Sequence, residues 1–197
     1  MRKTLLSAVA LTSLVALSAC GGETADEAAP ADAMVEEAAP VEEATEAAEE
    51  EVVEAVPAAE PNGTVIEIQM YTRDPDDSSG LQVFKPRLIT AQVGDTITFV
   101  PTDPTHQSAS IDEMLPAGVT GWEGAVNQEV SYVVPAPGIY GYKCTPHYAA
   151  GMIGLIIVEG EGKTANLEAA QGVRHPGLAG REFGEIFEEA AAGGMLD

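Results

Sequence analysis

Short alternating runs of β-forming residues between residues 61 and 159 constrain the fold of this chain most strongly. In the first of them, residues 64–70, Ile66, Ile68 and Met70 fall on one face, because successive side chains of a strand point to opposite sides. Similar runs follow, with turn residues between them, at 81–84, 87–92, 96–100, 130–134, 139–144 and 153–158. Seven or eight short strands in about 100 residues predict an all-β sandwich.

The segments between and after these runs have a different residue pattern. Residues 101–129 are rich in Pro and Gly, and a loop of that length in a compact domain is typically functional or contains a short helix. Residues 165–170 and 182–190 predict two helices, and Phe183, Ile186 and Phe187 have helical spacing. We therefore expect residues 160–197 to be a C-terminal helical extension that packs on the sandwich.

The N-terminus has the pattern of an export signal. Residues 1–19 combine two early basic residues with an apolar run that is short for a membrane span. The sequence Leu17-Ser18-Ala19-Cys20 resembles the lipobox of bacterial lipoproteins, which implies a lipid anchor on Cys20. Gly21 after the cysteine implies transfer to the outer membrane, on its periplasmic side. An ordinary signal peptide with a chance cysteine is the alternative.

Residues 20–60 form an acidic segment between the leader and the predicted sandwich. From residue 21 to residue 60 the chain has fourteen Asp or Glu and no Lys or Arg, within a formal net charge of -23. Repulsion between like charges and scattered prolines predict a solvated, disordered linker. A chain this acidic, with no basic stripe, is a poor candidate for binding nucleic acid, whereas it would attract a partner with a positive surface.

The candidate functional residues cluster at the end of the predicted sandwich. Cys144, His147 and Met152 lie within nine residues, and His106 lies 38 residues before Cys144, after another predicted strand. Two imidazoles, one thiolate and a distant thioether are the donor set of blue-copper electron-transfer sites. Alternation along the strand that ends at Cys144 also turns its sulfur toward the interior, away from water.

Four rival interpretations explain the same residues less completely. Zinc would accept the cysteine and two histidines but would leave Met152 without a role. Covalent c-type haem requires Cys-x-x-Cys-His, which the sequence lacks. A cysteine protease needs a base and a third orienting group beside its nucleophile. A disulfide from Cys20 to Cys144 would leave the histidines unexplained.

His175, in the polar tail, is expected to be a surface residue.

Longer segments carry a resemblance to the cupredoxins, and within them to pseudoazurins, over about residues 63–192. These segments are Gly94-Asp95-Thr96-Ile97-Thr98-Phe99-Val100-Pro101, Ser110-Ile111-Asp112-Glu113-Met114-Leu115-Pro116, Pro137-Gly138-Ile139-Tyr140 and the loop from Cys144 to Met152. The resemblance implies a cupredoxin Greek-key β-sandwich of about eight strands with two C-terminal helices. It also implies one type 1 copper with His106, Cys144 and His147 as equatorial ligands and Met152 as axial ligand.

The resemblance further implies which residues surround the copper and where electrons enter. Gln107, Thr145 and Pro146 would support the ligands from outside the coordination sphere, and the exposed edge of His147 would be the electron port. Gln107 stands where the family commonly has Asn, and Ala150 where it often has Met. Pseudoazurins that serve denitrification carry a ring of lysines near the port, whereas Lys143 is the evident lysine of this sequence.

These observations together predict an extracytoplasmic, membrane-tethered blue-copper electron carrier rather than an enzyme. Its expected partners are a redox donor and acceptor, such as a cytochrome or a copper reductase, with the membrane reached through Cys20. One alternative is a copper-delivery module that never cycles its metal. Another, a domain of a copper enzyme such as nitrite reductase, would need further His ligands, and the chain has three His in all.

Overall fold

Two four-stranded sheets packed face to face form the body of the protein. A computed structural model describes residues 54–197, which contain the strands β1 (Val65–Arg73), β2 (Leu81–Lys85), β3 (Leu88–Gln92), β4 (Thr96–Pro101), β5 (Ala109–Ser110), β6 (Val130–Val133), β7 (Gly138–Lys143) and β8 (Ile153–Glu159). One sheet has the order β2-β1-β4-β6 and the other β3-β8-β7-β5. The prediction of an all-β sandwich of about eight strands is confirmed.

The space between the sheets is filled by the apolar face that alternation predicted. Ile68 and Met70 of β1 are fully buried, as is Phe99 of β4, which lies beside Ile68 because the two strands pair in parallel. From the other sheet, Tyr140 and Tyr142 of β7 enter the same core. Burial of this apolar surface is the main term that favours folding, at roughly 25 cal/mol per Å².

Two helices cover the outer face of the second sheet. They are α1 (Leu167–Gly172) and α2 (Ala179–Ala192), and Phe183 and Ile186 of α2 pack against Leu155 and Ile157 of β8. Because β8 is covered on both faces, its residues from Ile153 to Val158 are all buried, and the strand is apolar throughout rather than alternating. The two helices predicted for the C-terminal extension are thus present.

The long irregular segment between β4 and β6 contains elements that the sequence only partly indicated. A 3-10 helix at Asp112–Met114 matches one of the two alternatives for this segment, a functional loop or a loop with a short helix. The two-residue strand β5 was missed, although it pairs with the end of β7 through Ala109 and Lys143. Two residues are too few for a periodic pattern, so this strand depends on tertiary pairing.

The described residues begin inside the predicted linker. Leader residues 1–19, Cys20 and the linker up to residue 53 lie outside them, so the lipid anchor and the boundary at residue 61 stay predictions. The backbone N–H of Val56 donates to the Gly118 carbonyl at 2.7 Å. Within residues 54–197, neither helix has the length and apolar character that crossing a bilayer requires.

Candidate metal centre

Three of the predicted ligands converge at one end of the sandwich. Cys144 Sγ lies 3.4 Å from His147 Nδ1 and 3.8 Å from His106 Nδ1. One donor atom from each of the three side chains lies within 4.8 Å of the others, and the two imidazole rings are 5.0 Å apart at 60° to each other. The Nδ1 nitrogens of two histidines and one thiol sulfur therefore face a common point.

A compact loop between β7 and β8 positions two of these residues. Cys144 directly follows β7, and its N–H donates to the carbonyl of Met152 at 3.0 Å, so the sheet pairing continues past the end of the strand. A 3-10 turn over Thr145–Ala150 then brings the His147 N–H to the Cys144 carbonyl at 3.0 Å. Gly151 ends the turn with φ 95°, a left-handed conformation suited to glycine.

His106 reaches the cluster from the segment after β4. Its carbonyl accepts the Asn127 N–H at 2.8 Å, which joins this segment to the loop before β6. Its Nε2 lies 3.2 Å from the Thr72 hydroxyl at the end of β1. A metal on Nδ1 would leave the ring proton on Nε2, which would then donate to Thr72, so this contact would fix the ring orientation that exposes Nδ1 to the cluster.

Burial controls the electrostatics of the cluster. Loss of solvent raises the pKa of the Cys144 thiol, although backbone N–H groups of Gln107 and His147 act in the opposite direction by favouring the thiolate. Burial, followed by the nearby His147, lowers the pKa of His106, so this imidazole stays neutral and available as a ligand at neutral pH. A metal ion would supply the positive charge that holds the thiolate in this buried place.

Met152 and the three predicted supporting residues differ in burial. Met152 is fully buried and belongs to the same core as Cys144, while its N–H donates to the His147 carbonyl at 3.2 Å. Gln107 is buried and acts on Cys144 through its backbone. Thr145 and Pro146 are exposed, so they form the outer surface of the loop.

The donor set fits copper better than the rival groups. The cluster joins a buried thiol to two imidazoles and contains no carboxylate, and the thioether of Met152 lies in the same core. Soft sulfur donors with imidazole suit a metal that cycles between Cu(I) and Cu(II). Cys144 has 0% exposure, which withholds it from a peptide substrate, and within residues 54–197 it forms no disulfide.

The outer side of the cluster is partly open to solvent. His147 is half-buried, whereas His106 and Cys144 are buried behind it. Ala149 and Ala150 are exposed in the same loop, and the Lys143 ammonium lies 5.0 Å from the centre of the Tyr148 ring. The ring of His147 is thus the part of the cluster nearest to a molecule that touches this end of the sandwich.

Sequence reasoning missed two residues near the cluster. Thr72 lies 34 residues before His106, and nothing in the alternating strand β1 distinguishes its hydroxyl. His175 was predicted to be a surface residue, but it is only partly exposed. Its ring is half-buried, lies 4.3 Å from the Phe183 ring and accepts or donates a 2.6 Å hydrogen bond with the Tyr148 hydroxyl.

Comparisons with known proteins agree with this geometry. Residues 73–159 match the family described as copper binding proteins, plastocyanin/azurin family. Pseudoazurin of Paracoccus pantotrophus is 44% identical over 98 residues, which are 50% of this chain and 66% of that protein. Pseudoazurin of Methylorubrum extorquens is 39% identical over 110 residues, 56% of this chain and 73% of that protein.

Solved structures give the same relationship. A pseudoazurin from Sinorhizobium superimposes with a TM-score of 0.61 at 37% identity, covering 66% of this chain and 98% of that one. Pseudoazurin from Hyphomicrobium denitrificans gives 0.57 at 34% identity, with 64% and 98% covered. Almost the whole of each solved chain therefore has a counterpart here.

Proposed function

Because this chain belongs to the copper-binding plastocyanin/azurin family, we propose that it carries single electrons with a type 1 copper held by His106, Cys144, His147 and Met152. The observation that supports this proposal is the convergence of a buried thiol and two Nδ1 nitrogens within 4.8 Å. When bound, the copper supplies a one-electron couple between Cu(II) and Cu(I).

The residues around the site hold the ligands in place before any metal arrives. Three backbone hydrogen bonds of 3.0 to 3.2 Å connect Cys144, His147 and Met152 to one another. Thr72 orients His106 from the end of β1, the neighbour of β4 in the same sheet. A carrier benefits from such rigidity, because ligands that need not move between oxidation states keep the cost of each electron transfer low.

Electrons enter and leave through the half-buried ring of His147. The other two clustered ligands are buried, so a partner that covers the exposed residues Pro146, Ala149 and Ala150 comes nearest to the site through this imidazole. The partner we propose is a redox protein with a basic docking surface, either a cytochrome or a copper reductase. This choice rests on the acidic composition of the chain.

The same proposal assigns no catalysis and places the protein outside the cytoplasm. The export-type leader and the lipobox-like residues before Cys20 support a lipid anchor, with the periplasmic side of the outer membrane as its place. A tether would restrict the carrier to a layer above the membrane and raise its effective concentration near membrane partners.

An optical and electrochemical experiment tests the carrier function. Full-length protein loaded with one equivalent of Cu(II) should show an intense visible absorption band and a reversible one-electron couple. Cys144→Ser is the control: it should bind copper without the band, because the band requires the thiolate, and circular dichroism should show the sandwich intact. Copper that binds without a band or couple in the unaltered protein would instead identify a delivery module.

A further inference from the structure

The ligand loop is joined to the C-terminal helices by a side-chain contact that the site itself does not require. Tyr148 directly follows His147, and its hydroxyl lies 2.6 Å from Nδ1 of His175, in the connection between α1 and α2. His175 in turn packs at 4.3 Å and 30° on Phe183, which is 2% exposed in α2. The hydrogen bond therefore connects the loop to a side chain that the helix holds.

Two backbone contacts reinforce the same junction. The Leu178 N–H donates to the Ala149 carbonyl at 2.9 Å. Gly177 approaches so closely that a Cβ there would lie 2.2 Å from the Ala149 oxygen. The loop is thus held by the segment 175–178 at two successive residues, Tyr148 and Ala149, directly after the ligand His147.

We propose that Tyr148 and His175 are positioning residues, which act through their hydrogen bond to fix the ligand loop and thereby the orientation of His147. The proposal rests on the copper function proposed above. His147 is the least buried of the three clustered ligands, so it receives less support from the core than Cys144 or His106. A bond made by the next residue limits its movement while leaving its imidazole exposed.

This arrangement also makes the junction sensitive to pH. Burial lowers the pKa of His175, and the Glu113 carboxylate of the 3-10 helix acts in the opposite direction. Other charged groups near the junction are Lys143, over the Tyr148 ring, Arg174 and Glu188, which line a groove with His175, and Glu182, whose side chain lies against Gly151. Because an opened junction returns His175 to its ordinary pKa, the closed form is favoured above about pH 6.5 and weakens below it.

Amide hydrogen exchange on the full-length copper-free protein tests the junction directly. The Gly151 N–H, which donates to the Tyr148 carbonyl, is the reporter. Tyr148→Phe and His175→Phe each keep an aromatic ring but remove the hydrogen bond, and each should lower the protection factor of Gly151 about fivefold, as expected for one hydrogen bond. The double variant should lose no more than either single one, because both remove the same bond.

Tyr132→Phe is the matched control. Its hydroxyl donates to the Thr120 carbonyl at 2.7 Å, outside the ligand loop, so its loss should leave Gly151 unchanged. Between pH 7.5 and 5.5, protection in the unaltered protein should fall toward that of His175→Phe, by up to about fivefold. Equal protection in the unaltered protein and in both junction variants, or an equal loss in Tyr132→Phe, would overturn the proposal.

Copper-loaded samples then separate this proposal from the carrier function. If the unaltered protein has the visible band, both junction variants should shift its position or intensity, and an unchanged band would overturn the positioning role. If the unaltered protein has no band, the carrier function fails and the positioning of a copper ligand fails with it. The exchange data would in that case still show whether Tyr148 and His175 hold the loop.

Discussion

Thr72 shows how a residue outside the cluster can determine which imidazole nitrogen of a histidine faces a metal. Its hydroxyl lies 3.2 Å from Nε2 of His106, and the opposite nitrogen faces Cys144. We expect Thr72→Val, which has nearly the same shape but no hydroxyl, to weaken copper binding by about tenfold or more, because partners of metal-bound histidines typically have effects of 10- to 100-fold. Competition with a chelator of known affinity would measure this change.

A second threonine provides the control for that experiment. Thr98 is buried whereas Thr72 is half-buried, and its hydroxyl pairs at 2.9 Å with Ser131 rather than with a predicted ligand. Thr98→Val should therefore leave copper affinity unchanged while it removes one buried hydroxyl. Equal affinity in the Thr72 variant and the unaltered protein would show that core packing alone orients His106.

The prediction for Met152 concerns the reduction potential of the copper rather than the copper affinity. We expect Met152→Gln to keep copper bound and to lower the potential, because the harder amide oxygen stabilises Cu(II) relative to Cu(I). Voltammetry of the two proteins measures the difference. Met195→Gln, at a partly buried methionine near the C-terminus, serves as the control. An unchanged potential in the Met152 variant would mean that this thioether is not an axial ligand.

The site could be anticipated from sequence where its residues are close along the chain or follow a strand pattern. Cys144 was expected to face inward because residues 140, 142 and 144 alternate, and all three are fully buried. Thr72 and His175 gave no such signal. Thr72 contacts His106 and His175 contacts Tyr148, and the two residues of each pair are more than 25 positions apart in the sequence. Only the tertiary packing specifies such pairs.

At the scale of elements, the junction between the ligand loop and the C-terminal helices depends on Gly177. This glycine has φ +55°, and an added Cβ would lie 2.2 Å from the Ala149 oxygen. Gly177→Ala should lower the free energy of unfolding by at least about 1 kcal/mol, because a left-handed conformation alone costs that much for a residue with a Cβ. Urea denaturation followed by circular dichroism measures the loss.

Gly184 offers a matched glycine in a different setting. It lies within α2, and a Cβ there would meet nothing within 4 Å. Gly184→Ala should therefore raise the free energy of unfolding by about 0.5 to 1 kcal/mol, because alanine loses less chain entropy in a helix. If Gly177→Ala stabilised the protein as well, the close approach at the loop would not be a constraint.

The elements themselves were predictable in proportion to their length and amphipathic character. The strand β1 has buried Ile68 and Met70 at alternate positions, and the helix α2 carries Phe183, Ile186 and Phe187 on its buried face. The strand β8 gave an apolar run without alternation, and the α2 contacts explain why both of its faces are covered. The strand β5 had no signal, since two residues cannot display a period.

At the scale of the whole molecule, the acidic composition predicts how the proposed carrier would meet a partner. The net charge is -23, and residues 61–159 still hold eleven acidic residues against four basic ones when the linker is set aside. Part of that charge is paired, as where Lys85 contacts Asp74 and Asp76 in the β1–β2 hairpin. The remaining excess gives the sandwich a negative field of its own, which extends about 30 Å at 0.01 M salt and about 10 Å at 0.1 M.

This field predicts the salt dependence of electron transfer. The second-order rate constant for oxidation of the reduced carrier by a cationic cytochrome c should fall by about tenfold or more between 0.01 and 0.3 M salt, because screening removes the attraction that steers the encounter. Stopped-flow absorption at the visible band measures the rate. A neutral small-molecule oxidant is the control, and its rate should hardly change.

A variant that lacks residues 21–53 distinguishes the two sources of the field. The deletion removes most of the linker acids but leaves the sandwich, so it should reduce the salt dependence with the cationic cytochrome without abolishing it. A dependence that vanished would assign steering to the linker alone. Equal salt dependence for the cationic and the neutral oxidant would contradict electrostatic docking, because a neutral molecule experiences no such attraction.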